Sequence, residues 1–308
     1  MPGAYAHITA VGKAQESLNS LPWFPQAVRK VIRSNLEFCM LGALGPDYPY
    51  LDKIHLDDKE WADAMHYERT GDRIKAGMGA LTELEGPDRE VALAWLLGFT
   101  AHVVADVTIH PVVELKVGPY KGNESAHRKC EINQDVYIFD TRSGVDFQSA
   151  EFLRRVSEET SDPRNPSCVH PAIRKLWEEM FNRTDVSRAA HNTAHIDSWH
   201  AWFRELVAGV ADEKLVAMAR HVIPWLKSVV YPLPQHLEKT EYIDSLAVPG
   251  GGVMNYDEVF LRAVGNIQRG WAAVGSSVLD GTGAAEQFLQ NWNLDTGRDE
   301  AGNLTFWS

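Results

Sequence analysis

Val91-Ala-Leu-Ala-Trp-Leu-Leu-Gly-Phe-Thr-Ala101 runs directly into His102-Val-Val-Ala-Asp106-Val-Thr-Ile-His110-Pro111. Its length and lack of strand alternation predict a helix, and its apolar residues surround nearly the whole circumference, so that helix should be buried. His102, Asp106 and His110 recur every fourth residue, which stacks their side chains on one face. An unpaired carboxylate in such a place costs several kcal/mol, so buried charges are paired or bound to metal. Asp106 therefore calls for a cation.

Further along, His127 and Glu131 repeat the four-residue spacing on what reads as the next helix, beginning near Asn123-Glu-Ser. Three other candidates stand apart: His7 near the terminus, Asp47 in a Gly-Pro-Asp turn, and His66 on an amphipathic segment. Oxygen and nitrogen donors without thiolate suit zinc and similar divalent ions. Eight side chains exceed one tetrahedron, and two or three ions would absorb them.

Working outward, helical periodicity dominates and the fold is expected to be all-α, a multi-helix bundle-like domain. Expected helices cover about 26–41, 58–81 and 87–110, a fourth from near 123 that carries His127, Glu131 and Asp135, and then 147–159, 169–183, 185–208, 211–229 and 255–279, with Pro111 ending the third. Residues 1–145 read as a metal-binding helical core and 146–308 as a helical extension wrapped on it, because no linker separates them. Trp177, Trp199, Trp202, Trp225, Trp271, Trp292 and Trp307 are expected to fill the core. Asp135, one turn past Glu131, is either a residue that orients a ligand or a surface charge. His191 and His195 share a helical face, and, together with His200, suggest aromatic packing or a covering helix rather than ligation. Arg128 reads as an outward charge.

The formal net charge of −12 opposes a broad duplex-DNA footprint, but metal ions would reverse the local sign at a phosphate site. Cys39, Cys130 and Cys168 are too scattered for a disulfide framework; Cys130 points about 100° from Glu131 and reads as packing. The N-terminus lacks a secretory pattern, and 91–101 is too short to span a bilayer. A cytoplasmic location without a transmembrane segment is the expectation; oligomeric state is not legible.

Ala6-His7-Ile-Thr, Leu41-Gly-Ala-Leu-Gly-Pro-Asp47, His66, the Gly98 to Pro111 run and His127-Arg-Lys-Cys-Glu131 together, in this order, resemble the zinc-dependent bacterial phospholipase C family. The superfamily also holds the single-strand nucleases of P1 and S1 type. The resemblance covers roughly residues 4–140. It implies that Asp47, His66, His102 and Asp106 hold one zinc, and that His110, His127 and Glu131 hold a second. His7 and a bridging Asp106 would hold a third. In secreted relatives that ion also takes an N-terminal Trp, which this chain lacks; an amine at Pro2 is the substitute to consider. The implied chemistry is phosphoester hydrolysis by a metal-bound hydroxide, with Asp47 as ligand first and assisting base second. A phospholipid head group is the leading substrate.

Two alternatives remain at this level. A nuclease or nucleotidase on the same scaffold would show stacking aromatics near the metals. A non-enzymatic helical lipid-binding relative would leave the histidines structural. Phosphohydrolases built on adjacent His-Asp are disfavoured, since no such dipeptide occurs, and di-iron carboxylate bundles need two Glu-x-x-His pairs where only Glu124-Ser-Ala-His127 fits.

Overall fold

In the computed structural model, residues 3–142, 151–211 and 232–307 are described. The molecule is organised around one helix, α6 (Gly86–Val117), in which every residue from Ala92 to Val113 is buried. The helix is long and apolar enough to cross a bilayer, but its whole apolar window lies inside the protein. Other helices supply the apolar surroundings that a membrane would otherwise provide. α1 (Ala4–Ser17), α3 (Leu36–Leu44), α5 (Thr70–Ala80), α7 (Glu124–Arg142), α9 (Pro171–Thr184) and α12 (Tyr256–Asp280) all pack on it. The fold is all-α; among the described residues, strands occur only as three two-stranded antiparallel hairpins.

The crossing of α3 and α6 is set by two glycines. A Cβ on Gly42 would lie 1.9 Å from the Trp95 carbonyl oxygen, and one on Gly98 would lie 1.8 Å from that of Cys39. The backbones meet where no side chain fits. On the opposite side α12 docks through polar anchors: Trp271 Nε1 donates to the Leu97 carbonyl at 2.8 Å, and Asn266 donates to Thr108 Oγ1 at 3.1 Å.

Several boundaries differ from the sequence expectation. α1, which carries His7, was not among the expected helices; its weakly amphipathic face is nonetheless buried from Ala6 to Val11. The expected helix at 26–41 is two helices, α2 (Gln26–Ser34) and α3, divided at Asn35, whose backbone is not helical. The one at 58–81 is α4 (Lys59–Tyr67) and α5, divided at Arg69, which adopts φ 50°. Pro111 does not end α6. It removes the amide that would bond the Val107 carbonyl, and the backbone of Gly297 packs there instead. At φ 65°, a Cβ on Gly297 would sit 2.4 Å from Pro111 Cγ and 2.6 Å from that carbonyl oxygen.

Between 185 and 208 the chain forms α10 (Val186–Ala189) and α11 (Ile196–Ala211) with an irregular link. His191 and His195 therefore do not share a helical face: His191 bonds the Ser187 carbonyl, whereas His195 turns to Asp58. Trp177, Trp199, Trp271, Trp292 and Trp307 are buried, and Trp202 is half-buried with Lys53 over its ring. Of the helix expected at 147–159, α8 (Glu151–Glu159) is described; its start, the expected helix at 211–229 with Trp225, and Pro2 lie outside the described residues.

Candidate metal centre

Five elements deliver the eight candidate ligands to one region. α1 brings His7, the 3-10 turn Gly45–Leu51 brings Asp47, α4 brings His66, α6 brings His102, Asp106 and His110, and α7 brings His127 and Glu131. All are buried except Asp47, whose side chain is a quarter exposed.

The imidazoles are oriented by backbone carbonyls. Nδ1 of His66 bonds Ala62 O at 2.7 Å, Nδ1 of His102 bonds Ala43 O at 2.8 Å, and Nδ1 of His110 bonds Leu294 O. His127 is reversed: its Nε2 bonds Gly118 O at 2.6 Å. A carbonyl only accepts, so each of these nitrogens carries the proton and the other ring nitrogen presents a lone pair. Those lone pairs converge.

His66 Nε2 and His102 Nε2 stand 3.3 Å apart, two acceptors facing one another. His102 Nε2 is also 3.3 Å from Asp106 Oδ2, and His66 Nε2 is 3.4 Å from Asp47 Oδ1. The other oxygen of Asp106 lies 3.3 Å from His7 Nε2, and the His7 and His102 rings stack at 4.0 Å. A short way along α6, Glu131 Oε1 is approached by His110 Nε2 at 3.8 Å and by His127 Nδ1 at 3.7 Å. Asp106 thus stands between the first group and the second, with an oxygen for each of two different imidazoles.

Both Asp106 oxygens, both His7 nitrogens and His110 Nε2 are buried without an ordinary hydrogen bond. Such atoms are costly unless a cation completes them. The donor set is imidazole and carboxylate, converging and dry, which fits zinc. Burial works against ionising Asp106, yet His102, His110 and His7 hold its carboxyl well below the usual range. Burial pushes the His110 ring below its ordinary value, so it stays neutral and available as a ligand.

Sequence reading left several supporting residues out and held Asp135 between two readings. Asp135 is not a surface charge: it is buried, and its carboxylate accepts the Ala6 amide, capping α1 from outside and fixing His7 one residue on. Gly3 leaves room for it, since a Cβ there would overlap the carboxylate. Leu294 ties the C-terminal hairpin to the centre, its amide donating to the His66 carbonyl at 2.9 Å and its carbonyl accepting from His110. Tyr50, Tyr67 and Tyr120 surround the opening, with rings 6.0 and 6.1 Å from His66 and 5.3 Å from His127. Tyr67 follows His66 in the chain and Tyr50 shares the turn of Asp47, but tertiary packing brings the three together. Cys130 is buried beside Gln134, and Arg128 is exposed.

No curated protein and no solved structure matches this chain. A family model described as zinc dependent phospholipase C matches residues 6–187, which is more than half of the sequence and contains all eight candidate ligands. The chain belongs to the zinc-dependent phospholipase C family.

Proposed function

We propose that the protein is a phosphodiesterase of the phospholipase C type, with a phospholipid head group as its leading substrate. The observation that carries this reading is the facing pair His66 Nε2 and His102 Nε2, 3.3 Å apart with both protons committed elsewhere. A divalent cation coordinated by both nitrogens satisfies two lone pairs at that distance. Asp47, His66, His102 and Asp106 would hold one zinc; His110, His127 and Glu131 a second; His7 with Asp106 a third. Bound zinc supplies the usual chemistry of such sites, neutralising charge on a phosphate and bringing the ionisation of water near pH 7.

The protein's own contribution is placement and dryness. Asp47, alone among the eight in reaching solvent, meets the incoming phosphoester. Burial opposes its ionisation, but the His66 contact and the nearby His102 and His7 rings keep its carboxyl below the ordinary value. It therefore accepts hydrogen bonds and orients water; it is a weak base. Burial, reinforced by Asp63 beside Tyr50 and Asp295 beside Tyr67, raises both phenols, so they remain protonated donors at the rim. Tyr50 Oη already donates to Asp63 at 2.6 Å.

The three rim tyrosines also favour a second reading, hydrolysis of single-stranded nucleic acid, in which bases stack on aromatic rings. The net charge of −12 disfavours it. Turnover of phosphatidylcholine and of a short oligonucleotide by the same zinc-loaded preparation separates the two. Binding of less than one equivalent of zinc, with activity indifferent to chelators, would overturn both.

A further inference from the structure

A second cluster of the same composition lies outside this centre. His55, Asp58 and His195 bring potential ligand atoms within 4.8 Å of one another. The two imidazoles stack with centroids 3.6 Å apart and planes 8° from parallel. Each is backed by a buried carboxylate: His55 Nδ1 bonds Asp52 Oδ2 at 3.0 Å, and His195 Nδ1 lies 3.1 Å from Asp58 Oδ2. The carboxylates are themselves pinned. Asp52 Oδ1 accepts the Ile54 and His55 amides at 2.7 and 2.9 Å, and Asp58 Oδ2 accepts Trp199 Nε1 at 2.6 Å.

Both Nδ1 atoms are thereby committed, and both Nε2 atoms are the free coordinating positions. A carboxylate behind a histidine fixes the ring and raises its strength as a metal donor, and a plain aromatic stack has no use for such a pair. The arrangement repeats that of His7 and His102, which stack at 4.0 Å and 12° across the shared carboxylate of Asp106. It differs in access, because the His55 and His195 side chains are about one-third exposed.

We propose that His55 and His195 form a separate site for a divalent transition metal such as Ni2+, Cu2+ or Zn2+. The ion is held by the two Nε2 atoms with water completing the coordination, while Asp52 and Asp58 orient the rings. Imidazole donors suit these metals. Bringing both Nε2 lone pairs onto one ion requires the rings to turn out of their parallel stack, each pivoting on its carboxylate contact. Two protein ligands make this a weaker site than the eight-residue centre, so it fills last.

Its position gives it a role. Asp52 caps the 3-10 turn that begins at Gly45 and carries Asp47. His195 immediately precedes α11, onto which the same turn already packs through Tyr48 and His200, and the residue after its cap, Lys53, lies over Trp202. An ion shared by His55 and His195 fastens the Asp47 turn to α11.

The test uses protein loaded with zinc only to the content of the main centre, without excess, and titrated with Ni2+, with both metals counted after removal of free ion. One further equivalent of Ni2+ is expected in the wild type. His55→Phe and His195→Phe, which keep a stacked ring but remove the nitrogen, should each abolish it while retaining the zinc already bound. Asp52→Asn should weaken it by roughly 10- to 100-fold. The proposal is overturned if the wild type takes up no additional Ni2+, or if the extra equivalent persists in both phenylalanine variants. Because zinc is counted in the same samples, failure here is distinct from failure of the main centre.

Discussion

His110 Nδ1 is held by the carbonyl of Leu294, a residue 184 positions further along the chain. That bond leaves His110 Nε2 to face Glu131, and it makes the C-terminal hairpin part of the metal centre. The hairpin is itself anchored by Thr70, whose hydroxyl donates to the Trp292 carbonyl at 3.0 Å and accepts its amide at 2.7 Å. Deleting residues 292–308 should therefore weaken zinc binding at the site proposed for His110, His127 and Glu131 by about 10- to 100-fold, as expected when a ligand loses its orienting partner. Equal zinc affinity in the truncated and full chains, measured by competition with a chelator, would contradict this.

Asp106 and His110 should separate by the number of ions they release. Asp106→Asn removes a carboxylate whose oxygens face both His7 and His102, so zinc content should fall by more than one equivalent. His110→Ala should cost one. Turnover should drop by at least about 100-fold in the first case, the scale for losing a preorganised electrostatic partner. Elemental analysis that finds the same loss in both variants would rule out Asp106 as a shared residue.

Gly98→Ala tests whether the helix crossing sets the site. The added methyl would meet the Cys39 carbonyl of α3, and overpacking of this kind costs at least about 1–3 kcal/mol. Because α3 also carries the Ala43 carbonyl that orients His102, zinc affinity should fall together with thermal stability. A variant as stable as the wild type would show that the helices can slide apart.

The buried pair Arg73 and Asp185, 2.7 Å apart, predicts a stability effect away from the metals. Asp185→Ala leaves the Arg73 charge buried and should cost about 3–5 kcal/mol. Burial opposes ionisation of Asp185, but Arg73, Thr184 and Arg188 hold its carboxyl low. Its contribution is therefore complete above the ordinary carboxylate value and is lost as pH falls below it. Denaturant unfolding of the variant and the wild type at neutral pH and near pH 3 should show the gap narrowing with acid.

His200 gives the opposite type of group, a buried neutral base. Burial, with Arg204 nearby, lowers its ring to about 3, and its nitrogens contact Tyr48 and Ser161. The unfolded chain binds this proton near pH 6.5, so stability should decline as pH drops from there toward about 3. His200→Gln should flatten that part of the profile. An unchanged slope would assign the acid sensitivity to other groups.

The helical class, the buried identity of α6 and the four-residue spacings of His102, Asp106, His110, His127 and Glu131 were legible because each depends on periodicity within one helix. Aspects governed by distant partners were not. Pro111 reads as a helix end by local rule, yet α6 continues through it, with the backbone of Gly297 packed against Pro111 and the Val107 carbonyl. His191 and His195 read as a pair by spacing, yet the chain leaves helix between them and His195 stacks on His55 instead. Asp135 reads equally as surface charge, yet it caps α1 beneath His7.

Sequence alone determined which side chains are available, on which faces they lie, and that a buried carboxylate among imidazoles requires a cation. Tertiary structure decided which nitrogen of each imidazole is left free, because Ala43, Gly118 and Leu294 hold the others from positions remote in the chain or beyond a turn. Any residue's backbone carbonyl can accept a hydrogen bond from a ring N–H that reaches it, so nothing in the identity of those three residues announces the role. Only their placement does.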